Sequence, residues 1–111
     1  MVETVSVIGS GVIGGAVVRC LLKSGQFGQV IATRRDMQKL IPLADLGAKI
    51  TDNNVIAARE SDVIFLCVKP GDIEKVLLEI KDEIKGKLVI STAAIIPLEF
   101  FEATAPLARY V

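Results

Sequence analysis

Histidine and tryptophan are absent from this sequence of 111 residues, and cysteine occurs only twice. Without histidine the chain lacks the commonest metal ligand and the commonest acid–base side chain near neutral pH. We therefore expect no zinc site and no Ser-His-Asp or Cys-His catalytic group. The two cysteines, Cys20 and Cys67, stand far apart inside apolar segments. We expect buried thiols there rather than a disulfide.

An excess of charge and long apolar runs are missing as well. Thirteen basic residues balance thirteen acidic residues, so no overall field favours a nucleic acid or an acidic membrane as a partner. No apolar run is long enough to span a bilayer, and no signal peptide precedes the first apolar segment. On these grounds we expect a soluble cytoplasmic protein.

Aliphatic residues are abundant. Hydrophobic residues make up 51% of the chain and aromatic residues only 5%, whereas average proteins are roughly 45–50% apolar with glycine counted. A surplus of Val, Ile, Leu and Ala is typical of parallel strands that helices cover on both faces. The length fits a single domain, which we expect to occupy residues 1–111.

Apolar runs alternate with segments of helical periodicity along the whole chain. The predicted strands are Thr4–Ile8, Gln29–Thr33, Ala48–Thr51, Asp62–Val68, Leu88–Thr92 and the beginning of a sixth at Leu107–Val111. The predicted helices are Val12–Ser24, Met37–Leu46 with an interruption at Pro42, a helical turn through Glu60, Asp72–Lys85 and Pro97–Ala103. The apolar face predicted for the first helix consists of Ile13, Ala16, Val17, Cys20 and Leu21.

This alternation predicts an α/β fold, a doubly wound parallel sheet in three layers. The expected strand order is 3-2-1-4-5, with the sixth strand joining at the end. Ligands of such sheets bind at the carboxyl ends of the strands, where the strand order reverses. Here that position lies between the loops after the first and fourth strands.

Three glycines follow the first strand at the spacing G-x-G-x-x-G. In a dinucleotide-binding turn the first permits a sharp turn, the second lets backbone approach a pyrophosphate, and the third lets the helix pack tightly. The helix then directs free N–H groups at the phosphates. A plain tight turn explains one glycine but not three between a strand and a helix. We therefore predict a dinucleotide site that includes Ile8, Gly9, Ser10, Gly11, Val12, Ile13 and Gly14.

Thr33 ends the second strand, and Arg34 and Arg35 follow it, at the place where the adenosine ribose of a dinucleotide normally lies. An acid there would accept a hydrogen bond from the 2′-hydroxyl of NAD, whereas a guanidinium binds a 2′-phosphate. We therefore predict NADP(H) rather than NAD(H) as the cofactor. One alternative for the arginines is a pair of solvated surface charges. Asp36 either contacts the ribose or caps the following helix.

Further loops are expected at the same edge of the sheet. The fourth strand leads into Cys67, Val68, Lys69 and Pro70. Pro70 restricts its predecessor to an extended backbone, and the Lys69 ammonium either contacts a phosphate or is solvated. Asn54 either contacts the adenosine side or caps a helix. The fifth strand ends in Ser91, Thr92, Ala93 and Ala94. These small residues either leave room for a nicotinamide ring or simply pack under a loop.

Several of these segments together resemble the N-terminal domain of pyrroline-5-carboxylate reductase. The resemblance covers essentially the whole chain and rests on the glycine turn with Gly15 and Ala16, on Arg34, on Ser61–Pro70 and on Leu88–Ala94. It implies a Rossmann domain of an oxidoreductase that transfers hydride from NADPH to the cyclic imine pyrroline-5-carboxylate, in proline biosynthesis. It also implies cofactor contacts at Asn54, Val68, Lys69, Pro70, Thr92, Ala93 and Ala94.

The sequence departs from the family pattern at two points. Ile95 stands where the family usually has glycine, so a related NADP-dependent oxidoreductase with a different acceptor is an alternative. The family continues into a helical domain that forms an intertwined dimer and completes the substrate site, whereas this sequence stops at Val111. We expect a fragment that binds NADP(H) with little turnover. Binding of its small-molecule substrate and formation of a homo-oligomer would both depend on the missing domain. The other alternative is a non-catalytic NADP-sensing or interaction module.

Overall fold

The computed structural model of the chain describes residues 3–92, 104–105 and 108–110, and within them six strands form one sheet. The strands are β1 (Thr4–Ile8), β2 (Gln29–Thr33), β3 (Lys49–Thr51), β4 (Val63–Leu66), β5 (Leu88–Ser91) and β6 (Arg109–Tyr110). All neighbouring pairs are parallel, in the order β3-β2-β1-β4-β5-β6. The predicted doubly wound sheet and its strand order are therefore confirmed. Ala93, Ala94, Ile95 and the helix predicted at Pro97–Ala103 lie outside the described residues.

Four α-helices are seen in the described part of the chain. They are α1 (Val12–Ser24), α2 (Ile41–Asp45), α3 (Asn54–Glu60) and α4 (Ile73–Ile80), with 3-10 turns at Met37–Leu40 and Pro70–Asp72. The helix predicted over Met37–Leu46 is thus divided, as expected, but the division falls between Leu40 and Ile41 and not at Pro42. Asp36 caps the 3-10 turn by accepting from the Gln38 N–H at 3.1 Å, and Pro42 falls in the first turn of α2, where its missing N–H costs nothing.

The helix predicted over Asp72–Lys85 is also too long, because α4 ends at Ile80. Beyond that residue the backbone continues in tight turns, in which the Glu83 N–H donates to the Ile80 carbonyl at 2.8 Å. Ile84 nevertheless remains buried. The apolar periodicity therefore continues past the end of the helix, which is why the pattern predicted additional helical residues.

Hydrophobic clusters cover both faces of the sheet, which makes the three predicted layers. Along β1 the side chains alternate: Val5 and Val7 pack on one face with Val18 of α1, and Ile8 packs on the other with Leu77 of α4. Most of these side chains have no exposed surface. No helix in the described part of the chain combines the length and the apolar character needed to cross a membrane.

The buried face of α1 differs from the predicted face. Gly14, Gly15 and Val18 are buried, whereas Ile13 is 63% exposed and Cys20 is also exposed. The expectation that Cys20 is a buried thiol is therefore wrong, although both cysteines are free as expected. The helix approaches the sheet through its glycines, and this close approach turns the more hydrophobic residues of the first two turns outward.

Ser6, in the middle of β1, is fully buried, and its hydroxyl has no hydrogen-bond partner among the described residues. Its neighbours across the sheet are Ile31 and Ile64. A buried hydroxyl without a partner opposes folding. Ser61, by contrast, is a buried serine whose hydroxyl donates to the Ala57 carbonyl at 2.6 Å.

We expect Ser6→Ala to raise the free energy of unfolding by about 1 kcal/mol, because it removes the desolvation cost of an unpaired hydroxyl. Ser61→Ala is the matched control and should lower it by about 1 kcal/mol, since a satisfied hydrogen bond is lost. Urea denaturation of the two variants measures both values. A similar loss of stability in both variants would contradict the interpretation of Ser6.

Candidate functional site

Two of the three glycines in the turn after β1 are required by the packing of the protein itself. Gly9 has a φ of +84°, and a Cβ there would lie 2.6 Å from Cγ1 of Val68. A Cβ at Gly14 would lie 2.5 Å from the Gly9 carbonyl oxygen and 3.2 Å from Cβ of Cys67. These close contacts hold the start of α1 against the end of β4.

Gly11 differs, because apart from its two chain neighbours no atom of the described residues lies within 4 Å of the position its Cβ would take. Its φ is −78° and its ψ is −143°, a combination outside the helical and strand regions. Helix α1 begins at the next residue with no side-chain cap and no acidic residue in its first turn. The missing side chain therefore leaves space for something other than the protein, beside helix N–H groups that suit an anion.

A cleft of about 560 Å³ opens in front of this turn, at the carboxyl ends of β1, β2 and β4. It lies at the predicted position, where the strand order reverses. Its lining is formed by Gly9, Gly11, Thr33, Arg34, Arg35, Asp36, Asp52, Asn54, Cys67, Val68, Lys69, Asp72, Lys75, Val76 and Glu79. Nine of the predicted site residues are thus brought together from four segments that are distant in sequence.

Other predicted residues lie beside the cleft rather than on its wall. Ile8, Ser10 and Gly14 are buried behind it, and Val12 and Ile13 are 93% and 63% exposed on α1. Pro70 begins the 3-10 turn after β4, and the Thr92 N–H donates to the Leu66 carbonyl at 3.1 Å. Ala93 and Ala94 lie outside the described residues. Their predicted cofactor contacts stay predictions.

Thr33 holds the glycine turn to the end of β2. The Ser10 N–H donates to the Thr33 carbonyl at 2.8 Å, and the Gly9 N–H donates to its Oγ1 at 3.3 Å. The Thr33 hydroxyl in turn donates to Oδ1 of Asn54 at 2.6 Å. With only 1% of its surface exposed, Thr33 serves the architecture of the cleft, and Arg34 follows it directly at the cleft wall.

Asn54 is not the cap of α3. That position belongs to Asn53, whose side chain accepts from the Ile56 N–H at 3.1 Å. The amide of Asn54 instead joins two elements, since its Oδ1 accepts from Thr33 and its Nδ2 donates to Oε1 of Glu79 at 2.9 Å. Of the two interpretations left open for Asn54, helix capping is wrong.

Helix α4 supplies cleft residues that the sequence analysis missed. Lys75, Val76 and Glu79 line the cleft, as does Asp72 just before the helix. No motif contains them, but their spacing places them on one face of a helix that begins immediately after the predicted Lys69-Pro70 element. This helical spacing is the feature of the sequence from which these cleft residues could have been predicted.

Charges of both signs line the main cleft. Four basic residues, Arg34, Arg35, Lys69 and Lys75, face four acidic residues, Asp36, Asp52, Asp72 and Glu79. A smaller hollow of about 280 Å³ lies on the other side of Arg34, between α1 and α2. Arg19, Arg34 and Lys39 line it, and in the described part of the chain no carboxylate does. Arg34 therefore borders a hollow whose ionisable lining is entirely basic.

Cys67 lies in the floor of the cleft, with its N–H donating to the Ile8 carbonyl at 2.8 Å. Burial raises the pKa of its thiol, and a hydrogen bond with Thr92 acts in the opposite direction. A raised pKa keeps the thiol protonated at neutral pH, which does not suit a nucleophile. No group of three or more acidic or cysteine side chains within the described ranges is arranged to hold a metal ion.

Comparison with known proteins gives one family and a consistent set of relatives. The family described as NADP oxidoreductase, coenzyme F420-dependent, matches residues 4–95. The pyrroline-5-carboxylate reductase of Methanosarcina acetivorans is 36% identical over 104 residues, which cover 90% of this chain and 38% of that protein. The Escherichia coli enzyme of the same name is 35% identical over 103 residues, covering 89% and 38%.

Solved structures agree with these relatives. A pyrroline-5-carboxylate reductase from Coxiella burnetii superposes with a TM-score of 0.91 at 28% identity, covering 99% of this chain and 43% of that one. An imine reductase from Myxococcus stipitatus in complex with NADP+ gives 0.82 at 30% identity, covering 96% and 39%. The chain thus spans about two fifths of the length of these relatives.

Replacing the two nearby glycines by alanine separates their roles. Gly14→Ala should lower the free energy of unfolding by about 1–3 kcal/mol, because its methyl group meets backbone that cannot move aside. Gly11→Ala should lower it by less than Gly14→Ala does, because its methyl group would meet no atom of the described residues beyond its chain neighbours. Thermal or urea denaturation measures both. Equal destabilisation would show that Gly11 too is required for packing.

The two cysteines should differ in reactivity towards iodoacetamide. Cys20 is exposed and should be alkylated faster at pH 8 than Cys67, because the raised pKa of Cys67 leaves less of the nucleophilic thiolate. The rate at Cys67, followed in a Cys20→Ser variant by mass spectrometry, should reach half its maximum above the ordinary pKa of a thiol. Equal rates at pH 8 would contradict this environment.

Proposed function

We propose that this chain is the NADP(H)-binding domain of an imine-reducing oxidoreductase, because it belongs to the family of coenzyme F420-dependent NADP oxidoreductases. It also belongs to the pyrroline-5-carboxylate reductases, through their N-terminal domain. The observation that carries the proposal is the open space at Gly11, next to uncapped N–H groups of α1 and in front of the cleft. Such a cradle suits the pyrophosphate of a dinucleotide.

Different residues of the cleft bind different parts of the dinucleotide. The turn from Ile8 to Gly14 holds the pyrophosphate through the N–H groups at the start of α1, because the N–H groups of Gly9, Ser10 and Gly11 already donate within the protein. Arg34 and Arg35 bind the 2′-phosphate of the adenosine half. Thr33 and Asn54 lie on the adenosine side, and Cys67–Pro70 and Thr92–Ala94 line the nicotinamide half. When bound, NADPH supplies the hydride that reduces a C=N bond.

The preference for NADP(H) over NAD(H) rests on Arg34. Its guanidinium borders both the main cleft and the basic hollow with Arg19 and Lys39, so no carboxylate among the hollow's lining residues opposes a 2′-phosphate there. The imine reductase of Myxococcus stipitatus has been seen with NADP+ and, as a variant, with NAD+. Since one fold accepts both dinucleotides, individual side chains must decide the preference.

The substrate and the assembly extend the same proposal. The relatives are more than twice as long as this chain, and their name gives pyrroline-5-carboxylate as the acceptor. We propose the same acceptor here, and proline biosynthesis as the process. We propose that a further domain completes the small-molecule site and the homo-oligomer, with residues 1–111 serving as the cofactor domain. A cytoplasmic location also stays a prediction.

A different acceptor is a second candidate function. The similarity to the imine reductase of Myxococcus stipitatus, at 30% identity, favours imines other than pyrroline-5-carboxylate, as does Ile95 in place of glycine. A non-catalytic NADP-sensing module is the third alternative. Whether the reading frame continues past Val111 into a helical domain distinguishes the module from both enzymes.

Titration of the chain with NADPH and NADH tests the cofactor. NADPH should bind more tightly, and Arg34→Asp should weaken it roughly 10- to 100-fold while leaving NADH nearly unchanged, because a charge-assisted contact becomes a repulsion. Gly11→Ala serves as the control, since its methyl group should weaken both dinucleotides. Equal or tighter binding of NADH by the unmodified chain would contradict the proposal. If the ratio of the NADH and NADPH dissociation constants stays unchanged in Arg34→Asp, Arg34 does not contact the 2′-phosphate.

A further inference from the structure

A chain of hydrogen bonds runs from the glycine turn to α4. The Gly9 N–H donates to Oγ1 of Thr33 at 3.3 Å, and the Thr33 hydroxyl donates to Oδ1 of Asn54 at 2.6 Å. Nδ2 of Asn54 then donates to Oε1 of Glu79 at 2.9 Å. Four separate elements are thereby joined, and all four residues line the main cleft.

The direction of this chain is set at Glu79. A carboxylate accepts hydrogen bonds and donates none, so the amide nitrogen of Asn54 must face it. The amide oxygen then faces Thr33, which must donate its only hydroxyl hydrogen to that oxygen. The lone pairs left on Oγ1 of Thr33 are therefore available to the Gly9 N–H. Without Glu79 the amide of Asn54 is free to turn over, and the donors and acceptors no longer match along the chain.

We propose that Glu79 is a positioning residue for the bound dinucleotide, a role that rests on the proposed function. Its carboxylate fixes the amide of Asn54, which in turn fixes Thr33 and the backbone of the glycine turn at Gly9. The fixed amide keeps one N–H hydrogen of Asn54 available in the cleft, and a donor suits the oxygen atoms of a ribose or a phosphate. A reversed amide would present its oxygen there instead.

The neighbourhood of Glu79 favours this role over a purely structural one. Glu79 is exposed and on the cleft wall, so its hydrogen bond to Asn54 spans the cleft edge and does not belong to the core. Glu83, one turn further along the chain, pairs instead with Arg59 at 3.1 Å, and it does not line the cleft. Glu83 therefore provides a matched control with the same side chain and a comparable contact to α3.

The test measures dissociation constants of NADPH, and of adenosine 2′,5′-bisphosphate as the adenosine half alone, for the 111-residue chain. Glu79→Ala should weaken both ligands about three- to tenfold, the range expected for one lost hydrogen bond. Glu79→Gln should recover most of the affinity, because its carbonyl oxygen still accepts. Glu83→Ala should bind like the unmodified chain.

The outcomes separate the two proposals. If the unmodified chain does not bind NADPH, both fall. If it binds NADPH and Glu79→Ala stays within twofold of it, the role of Glu79 is wrong and the proposed function stands. Equal losses in Glu79→Ala and Glu79→Gln would likewise overturn a role as hydrogen-bond acceptor.

A measurement on the unmodified chain keeps the proposal testable even if a variant fails to fold. In NMR spectra the side-chain amide hydrogens of Asn54 should show a nuclear Overhauser effect to the γ-hydrogens of Glu79. An effect to the Thr33 methyl group instead, with none to Glu79, would mean that the amide has the opposite orientation and would overturn the proposal.

Discussion

The turn at Gly9 and the loop after β4 lie too close together for any side chain to fit between them. A Cβ on Gly9 or on Gly14 would overlap Val68, Cys67 or the turn itself. This contact fixes the start of α1 relative to β4, and the Cys67 N–H donating to the Ile8 carbonyl at 2.8 Å continues the ladder between β1 and β4 to the same point. The floor of the cleft is thus tightly constrained, and the glycine turn and the loop after β4 line the cleft from it.

Thr33 extends that constraint to the other side of the cleft. Through its carbonyl and its hydroxyl it holds Ser10 and Gly9, and through the same hydroxyl it holds Asn54. Because Thr33 is buried and bonded at both ends, the residue after it begins at a fixed position on the cleft wall. On the proposed function, a preference between dinucleotides therefore depends on short side chains and fixed backbone as well as on the long arginine that follows.

The sequence was enough to predict the strand order and most of the cleft. It was also enough to predict the loops after β1 and β4, where the strand order reverses. Buried parallel strands are continuous apolar runs, and the glycine spacing has a specific geometric cause. The periodicity of hydrophobic residues predicted the wrong buried face for α1, because this helix packs through small residues and not through its most hydrophobic ones. Gly14 and Gly15 carry α1 onto the sheet, so Ile13 and Cys20, which the pattern placed inside, face outward. Glu79 and Lys75 were missed because their role depends on how α4 lies across the cleft, and no local motif encodes that.

The distribution of charge explains why binding must depend on geometry. The chain has no net charge, and the main cleft itself has four basic and four acidic residues, so a long-range field contributes little to attracting an anion. On the proposed function, affinity for a dinucleotide then arises from donors held at fixed positions, chiefly the N–H groups at the start of α1. Of the two hollows described above, only the one beside Arg34 has a surplus of positive charge. The proposal therefore assigns general affinity and the choice of the 2′-phosphate to different parts of the same surface, and the two should respond to mutation separately.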